Sequence, residues 1–256
     1  MMQPTPIQLY GAVGDSIGMV SLVDRMGDDK RIVDAARVSF LRDAPDVPFH
    51  EVKDRQLVRY LMRNRHTSPF EHCVITWRFT VPIFTRAQHM RHRTWAYNEE
   101  SRRYLDALVE PLFYLPSLFH MKGDTAEKQL AVGGRADPVL SIRAVNGIHE
   151  EMAQRASNAV RDVVEFAMAR YVAMCEAGID AGEARMVLPQ NMFVNYFGTV
   201  NLHNALKFLM LRDSVDGHAQ WQIRMVGDAM ASHLTELFPI TMEAFNDFRP
   251  RPQKVK

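Results

Sequence analysis

From Cys73 to Val81 every odd position is apolar (Cys73, Ile75, Trp77, Phe79 and Val81), while the even ones include Thr76, Arg78 and Thr80. A period of two is the signature of a strand with one face in a core and the other in water, and it assigns Cys73 to the core side. Pro82 closes the run. Its fixed φ and missing N–H suit the first turn of a helix, so a helix is expected from Ile83 to about His92, with Ile83, Phe84, Ala87 and Met90 on its apolar side.

Around this strand–helix unit the chain reads in blocks. Met19–Val23 is a second short strand, and Asp28 and Asp29 are placed to cap a helix running through Arg37. Arg55–Arg63 sets Leu57, Tyr60 and Leu61 on one helical face before a break at His66-Thr67-Ser68-Pro69. Gly123, Gly133, Gly134 and Pro138 mark 121–143 as a surface insertion. Beyond it, Ile148, Met152, Ala156, Val160, Val163, Ala167, Tyr171 and Met174 form a helical stripe that stops at Gly178 and encloses Cys175. Asp180 and Glu183 have capping-box spacing for a helix that Pro189 interrupts. Leu202, Leu206 and Leu209 line a helix ending near Arg212, and a last helix is expected from about His218 to Leu237. Strands early and helices late predict an α/β protein of the α+β type, a mixed sheet with segregated helices, in a single domain over residues 1–256.

Formal net charge is +1, so no global field marks the protein as a binder of nucleic acid or membrane surface. The two cysteines, Cys73 and Cys175, form neither a disulfide framework nor a C-x-x-C metal site, which fits a reducing cytoplasm. Met1–Tyr10 lacks a basic stretch followed by an apolar run, and no segment approaches the roughly 20 apolar residues of a membrane helix. The chain is expected to be soluble, cytoplasmic and unprocessed.

Any attraction for anions must therefore be local. Arg91-His92-Arg93-Thr94-Trp95-Ala96-Tyr97-Asn98-Glu99-Glu100-Ser101-Arg102-Arg103-Tyr104 brackets two carboxylates with Arg91, His92, Arg93, Arg102 and Arg103. Arginine forks match phosphate oxygens bidentately, so a phosphorylated ligand would satisfy the cluster; a solvated charged face is the bland alternative. Trp95 and Tyr97 beside arginines also imitate a single-strand platform, although Glu99 and Glu100 repel a polyanion. Ser101 lacks a recognisable histidine–carboxylate pair and reads as a substrate contact rather than a nucleophile. His89 and His92, with His66 and His72, could imitate metal spacing, but structural or ligand-facing histidines are favoured and no metal is expected.

The segment resembles the R-H-R-x7-S motif of the flavin-dependent thymidylate synthases, ending in S-x-R-Y. Resemblance extends to Ala35-Ala36-Arg37-Val38-Ser39-Phe40, His66-Thr67-Ser68-Pro69-Phe70-Glu71-His72, Arg185-Met186-Val187-Leu188-Pro189, Thr199-Val200-Asn201, and Leu211-Arg212 followed by His218-Ala219-Gln220-Trp221. It implies that family's non-Rossmann fold, in keeping with the lack of a G-x-G-x-x-G after a strand. It also implies a homotetramer with shared active sites that binds FAD, dUMP, methylene-tetrahydrofolate and NADPH and makes thymidylate by reductive methylation.

By position, the resemblance assigns FAD to Ser68, Arg91, His92, Arg93, Glu99, Asn201, His203 and Lys207, with Ser39, His66 and Glu71 close by. It assigns dUMP to Gln88, His89, Met90, Arg91, Glu99, Glu100, Ser101, Arg102, Arg103, Arg185 and Arg212, with Arg102 and Arg103 on the phosphate. Arg212 is the implied catalytic residue, stabilising negative charge on the uracil ring; without the motif it would read as a cation complementing a helix dipole. The chain departs from the pattern at His89, where an aromatic residue is usual, at Ala96, where serine is common, and at His203 and Lys207. The loop Asp213–Gly217 is longer than usual. A nucleotide or single-strand binding protein without catalysis is the rival reading.

Overall fold

The computed structural model describes residues 5–10, 16–38, 48–101, 103, 111–122, 134–142, 152–215 and 219–249. Four strands come from the first part of the chain, β1 (Ile7–Tyr10), β2 (Ser16–Met26), β3 (Val74–Pro82) and β4 (Ala96–Glu99). Two small ribbons follow, β5 (Phe119–His120) with β6 (Arg135–Ala136) and β7 (Val139–Ile142) with β8 (Met152–Arg155). A final strand, β9 (Phe193–Asn201), inserts between β3 and β4, giving a five-stranded sheet in the order β1-β2-β3-β9-β4.

Every described pairing in this sheet is antiparallel, where a mixed sheet was expected. The expectation of strands early and helices late is corrected too, because β9 comes from the second half and pairs with β3 along nine residues. The α+β class itself holds. The alternation of β3 is as expected: Ile75, Trp77, Phe79 and Val81 are fully buried and Cys73 joins them. Burial pushes the Cys73 thiol up to about 12, which leaves it an inert core group. Where β2 crosses β3, Gly18 has φ +135° and a Cβ there would lie 2.1 Å from the Thr80 carbonyl oxygen, so only glycine permits that approach.

The helices are α1 (Asp29–Arg37), α2 (Glu51–Arg63), α3 (Ile83–His89), α4 (Ala156–Glu176), α5 (Ala181–Ala184), α6 (Leu202–Arg212), α7 (Trp221–Leu237) and α8 (Pro239–Phe248), with a 3-10 turn at Ser68–His72. Asp28 caps α1 by accepting from the Arg31 N–H at 3.1 Å. Asp29 does something the sequence did not reveal. Its buried carboxylate accepts from the N–H groups of Ile240 and Thr241 at 2.9 and 3.1 Å and from the Thr241 hydroxyl at 2.6 Å, so the first residue of α1 satisfies the open N-terminus of α8.

Several boundaries differ from expectation for physical reasons. In α2 the inward residues are Asp54, Val58 and Leu61, while Tyr60 is 49% exposed; Asp54 is drawn in by the Arg37 guanidinium and the His50 N–H. The stripe assigned from Ile148 starts as helix only at Ala156, because Met152 belongs to β8; Ile148 lies outside the described residues. Within the 121–143 insertion, 134–142 carries β6 and β7 rather than plain loop. The helix expected to end at Leu237 does so as α7, its expected start at His218 lying outside the described residues, and Pro239 then opens a further helix, α8, that was not expected.

Candidate functional site

The R-H-R segment is shaped by the end of α3. His89 closes that helix with its side chain fully buried, and its Nδ1 lies 2.8 Å from the Tyr196 hydroxyl on β9. Phe79, Trp95, Tyr97 and Phe208 surround the imidazole with centroids 4.6–5.4 Å away. The Tyr97 hydroxyl is set between the carbonyls of His89 and His92, at 3.0 and 3.2 Å, while the His92 N–H donates to the His89 carbonyl at 3.0 Å. The turn therefore hangs from the aromatic core and sends Arg91 and Arg93 into solvent. Of the residues assigned to the nucleotide, His89 therefore has its side chain fully buried and Met90 packs partly buried against the core.

His92 is half-buried, edge-on to Phe208, and accepts at Nε2 from the Arg212 Nε–H across 3.3 Å. That bond requires a neutral ring with its proton on Nδ1. Burial first, then the Arg212 charge, lower the His92 pKa to about 4; burial, followed by His92 and Arg212, lowers His89 to about 3. Arg212 is itself pushed down by burial. It is the last residue of α6, so the helix-dipole reading also applies to it. Its backbone is fixed by neighbours: Asp213 makes a buried two-pronged pair with Arg249 at 2.7 and 2.9 Å, and α7 crosses so closely that a Cβ on Gly227 would lie 2.6 Å from the Arg212 carbonyl oxygen.

On the β4 side, Glu99 is gripped by Arg86 through two contacts, 2.7 and 2.8 Å. Burial nevertheless raises the Glu99 pKa, opposed by Arg86 and, more weakly, by Arg185. The sequence missed Arg86 because nothing in a 13-residue separation marks the pair. Glu100 is exposed and accepts from the Asn195 side-chain amide at 2.8 Å. Arg103 contacts the Ser101 hydroxyl at 3.4 Å and runs over Gly182, whose carbonyl takes the Arg185 Nε–H at 3.0 Å. Gln88 donates to Gln220 ahead of α7. Arg103 and Arg185 thus meet around Gly182 of α5, whereas Arg102 lies outside the described residues.

The remaining candidates form a second group. Asn201 caps α6 by accepting from the Asn204 N–H at 2.9 Å. His203 and Lys207 line a cavity of about 270 Å³ with Arg65, Thr67, Phe70 and Phe245. Burial, then Lys207, lowers the His203 pKa against the opposing charge of Glu71. His66, Ser68 and Glu71 stand exposed on the neighbouring turn, and Ser39 is outside the described residues. His203 and Arg212 are separated by roughly 14 Å along α6 at about 1.5 Å per residue, so one chain presents two stations rather than one pocket.

Among the described residues no ion pair involves Arg91, Arg93, Arg185 or Arg212. Arg91, Arg93 and Arg185 are exposed and Arg212 is half-buried, so their N–H donors are of the kind that phosphate oxygens accept from. No group of three His, Cys, Asp or Glu side chains is placed to hold a metal among the described residues, and none of the described helices is long and apolar enough to cross a membrane.

Residues 21–240 match the family model described as thymidylate synthase complementing protein. A flavin-dependent thymidylate synthase of Thermotoga neapolitana is 38% identical over 89% of this chain and 90% of its own length. The protein of the same name from Thermus thermophilus is 37% identical over 90% of this chain and 76% of its own. Among solved structures, the UMP/dUMP methylase PolB from Streptomyces cacaoi, bound with 5-Br UMP, superposes with a TM-score of 0.70 at 33% identity, covering 90% of this chain and 93% of that one.

Proposed function

Because the chain belongs to the flavin-dependent thymidylate synthase family, we propose that it converts dUMP to thymidylate with FAD as cofactor, methylene-tetrahydrofolate as carbon donor and NADPH as reductant. The observation that carries this reading is Arg212 held on a neutral His92. With Nε committed to the imidazole, the two terminal amino groups of the guanidinium remain for the uracil ring, where they stabilise negative charge as it develops. Partial burial strengthens that interaction.

Arg103 and Arg185, with Arg102, hold the nucleotide phosphate in this reading. Glu99 and Ser101 meet its base and sugar, and Glu99 stays in position because Arg86 grips it. Ser68, Arg91, His92, Arg93, Asn201, His203 and Lys207, with Ser39, His66 and Glu71, hold the flavin. When bound, reduced flavin supplies the hydride that turns the transferred carbon into a methyl group. No enzyme thiol takes part, in keeping with the core position of Cys73.

The active unit we propose is a cytoplasmic homotetramer of single-domain subunits whose sites are shared. Two features support sharing: the two stations along α6, and the exposed apolar residues Val163, Phe166 and Val172 on α4, which invite cover by another copy. The rival reading, nucleotide or single-strand binding without catalysis, predicts no flavin chemistry.

A visible absorption spectrum of the purified protein, followed by anaerobic NADPH addition with and without dUMP, tests the proposal. Flavin bands that bleach faster with dUMP support it; failure to take up flavin even after FAD is added sinks it. PolB is named for both UMP and dUMP, so product analysis with each nucleotide fixes the sugar preference.

A further inference from the structure

The cage around His89 is aromatic, yet it holds an imidazole whose Nε2 is buried and has no hydrogen-bond partner among the described residues. An unsatisfied buried nitrogen is unfavourable, and its retention asks for a compensating role. The other nitrogen shows one. Nδ1 is tied to the hydroxyl of Tyr196, and Tyr196 sits in register with Phe79 on β3 and Glu99 on β4. His89 also supplies the carbonyl on which both the Tyr97 hydroxyl and the His92 N–H converge, and its ring shares the Phe208 face with His92 at 4.8 Å each.

We propose that His89 is a positioning residue: anchored by Tyr196, it fixes the turn from Met90 to Arg93 and so holds the His92 ring on which Arg212 is aimed. The inference rests on Arg212 acting on the pyrimidine, as argued above. A phenyl ring at position 89 keeps the volume but loses the tether, leaving the turn free to rotate about its aromatic bed. Tyr196 links the strand opposite Glu99 to the turn that carries His92, so one buried bond sets the spacing between the nucleotide-facing carboxylate and the reacting centre. Displacements well under an ångström at such a spacing slow chemistry without preventing binding.

The test is the double variant His89→Phe/Tyr196→Phe beside Tyr196→Phe alone. Removing both polar partners leaves no orphan, so the double variant should melt close to the parent and load flavin normally. Its kcat on dUMP should drop about tenfold or more while KM stays within about threefold, and Tyr196→Phe alone should lose as much, because the two residues act as one unit. Selective nitrogen-15 histidine NMR supplies an activity-independent readout: the parent shows His92 in a single Nδ1–H tautomer, and the double variant shows averaged tautomers. A folded, flavin-loaded double variant with parental kcat and an unchanged His92 signal would overturn the proposal and make His89 a filler. If the parent itself takes up no flavin or fails to methylate dUMP, the functional reading falls, while the His92 signal still decides whether the tether exists.

Discussion

Arg212 donates its Nε–H to Nε2 of His92 across 3.3 Å, and the bond exists only while that imidazole is neutral. Burial and the guanidinium charge lower the His92 pKa to about 4, and His89 beside it is lowered to about 3. In the unfolded chain both titrate near 6.5, so between about pH 6.5 and 4 the unfolded state binds more protons than the folded one. Stability from these two groups is thus complete above about 6.5 and declines as pH falls through that window. Melting curves from pH 7.5 to 4.5 should show a falling midpoint, with a shallower slope in His89→Phe/Tyr196→Phe. Equal slopes would mean that the imidazoles are not held neutral by the fold.

Asp213 and Arg249 make a second relationship that the chain order hides, since the buried pair ties the residue after Arg212 to the end of α8. Arg249→Met would strand a buried carboxylate, a loss of about 3–5 kcal/mol. For a chain of this size that is a fall in melting temperature on the order of 10 °C. Asp213→Asn in the same background should recover part of it by removing the unpaired charge. Differential scanning calorimetry of the single and double variants checks both statements, and an unchanged midpoint in Arg249→Met would show that the pair adds nothing.

At Gly227 the prediction concerns geometry rather than charge. An alanine Cβ would sit 2.6 Å from the Arg212 carbonyl oxygen and 3.0 Å from the Asp213 nitrogen, both backbone atoms that cannot swing aside. α7 must therefore move off the end of α6, carrying the Arg212 backbone with it. Gly227→Ala should lower kcat about tenfold or more, with flavin uptake retained, because misplacement of a reacting group is felt first in the transition state. Stopped-flow measurement of flavin oxidation by dUMP and folate reads this directly; a parental rate would show that the close approach has no bearing on Arg212.

The strand at 74–82 and the helix at 202–212 were legible because each buries one unbroken set of apolar positions, Ile75 to Val81 in the first and Leu202, Leu206 and Leu209 in the second. β9 was hidden although it is central to the sheet. Its inward residues are Val194, Tyr196, Gly198 and Val200, but Phe197 points outward, 42% exposed, and Gly198 has no side chain to mark the core. Gly198 is small because Phe79 and Trp95 fill the space where a Cβ would stand. α8 was missed for a different reason: its N-terminus is stabilised by Asp29, more than 200 positions away. The cationic cluster was readable as a local string, yet what orients it was not, because the partners Arg86–Glu99, His89–Tyr196 and His92–Arg212 meet only after β9 and α6 have folded against β3 and α3.

The role of Arg212 is open to a sharper test than deletion. On the proposed reading, Arg212→Ala removes the group assigned to the uracil ring and should abolish methyl transfer, while flavin, assigned to His203, Lys207 and the exposed arginines, should still load. Arg212→Lys keeps the positive charge at the end of α6, so the helix-dipole contribution survives. An ammonium has no planar fork, however: it cannot bond His92 through one nitrogen and direct two others at the pyrimidine. Turnover in Arg212→Lys should therefore remain at least about 100-fold below the parent, the size of effect seen when a transition-state donor is lost. Rates with dUMP, together with flavin absorbance, decide the matter. Near-parental turnover in the lysine variant would mean that charge alone is used; equal loss of flavin and turnover in the alanine variant would move Arg212 from the reaction to the scaffold.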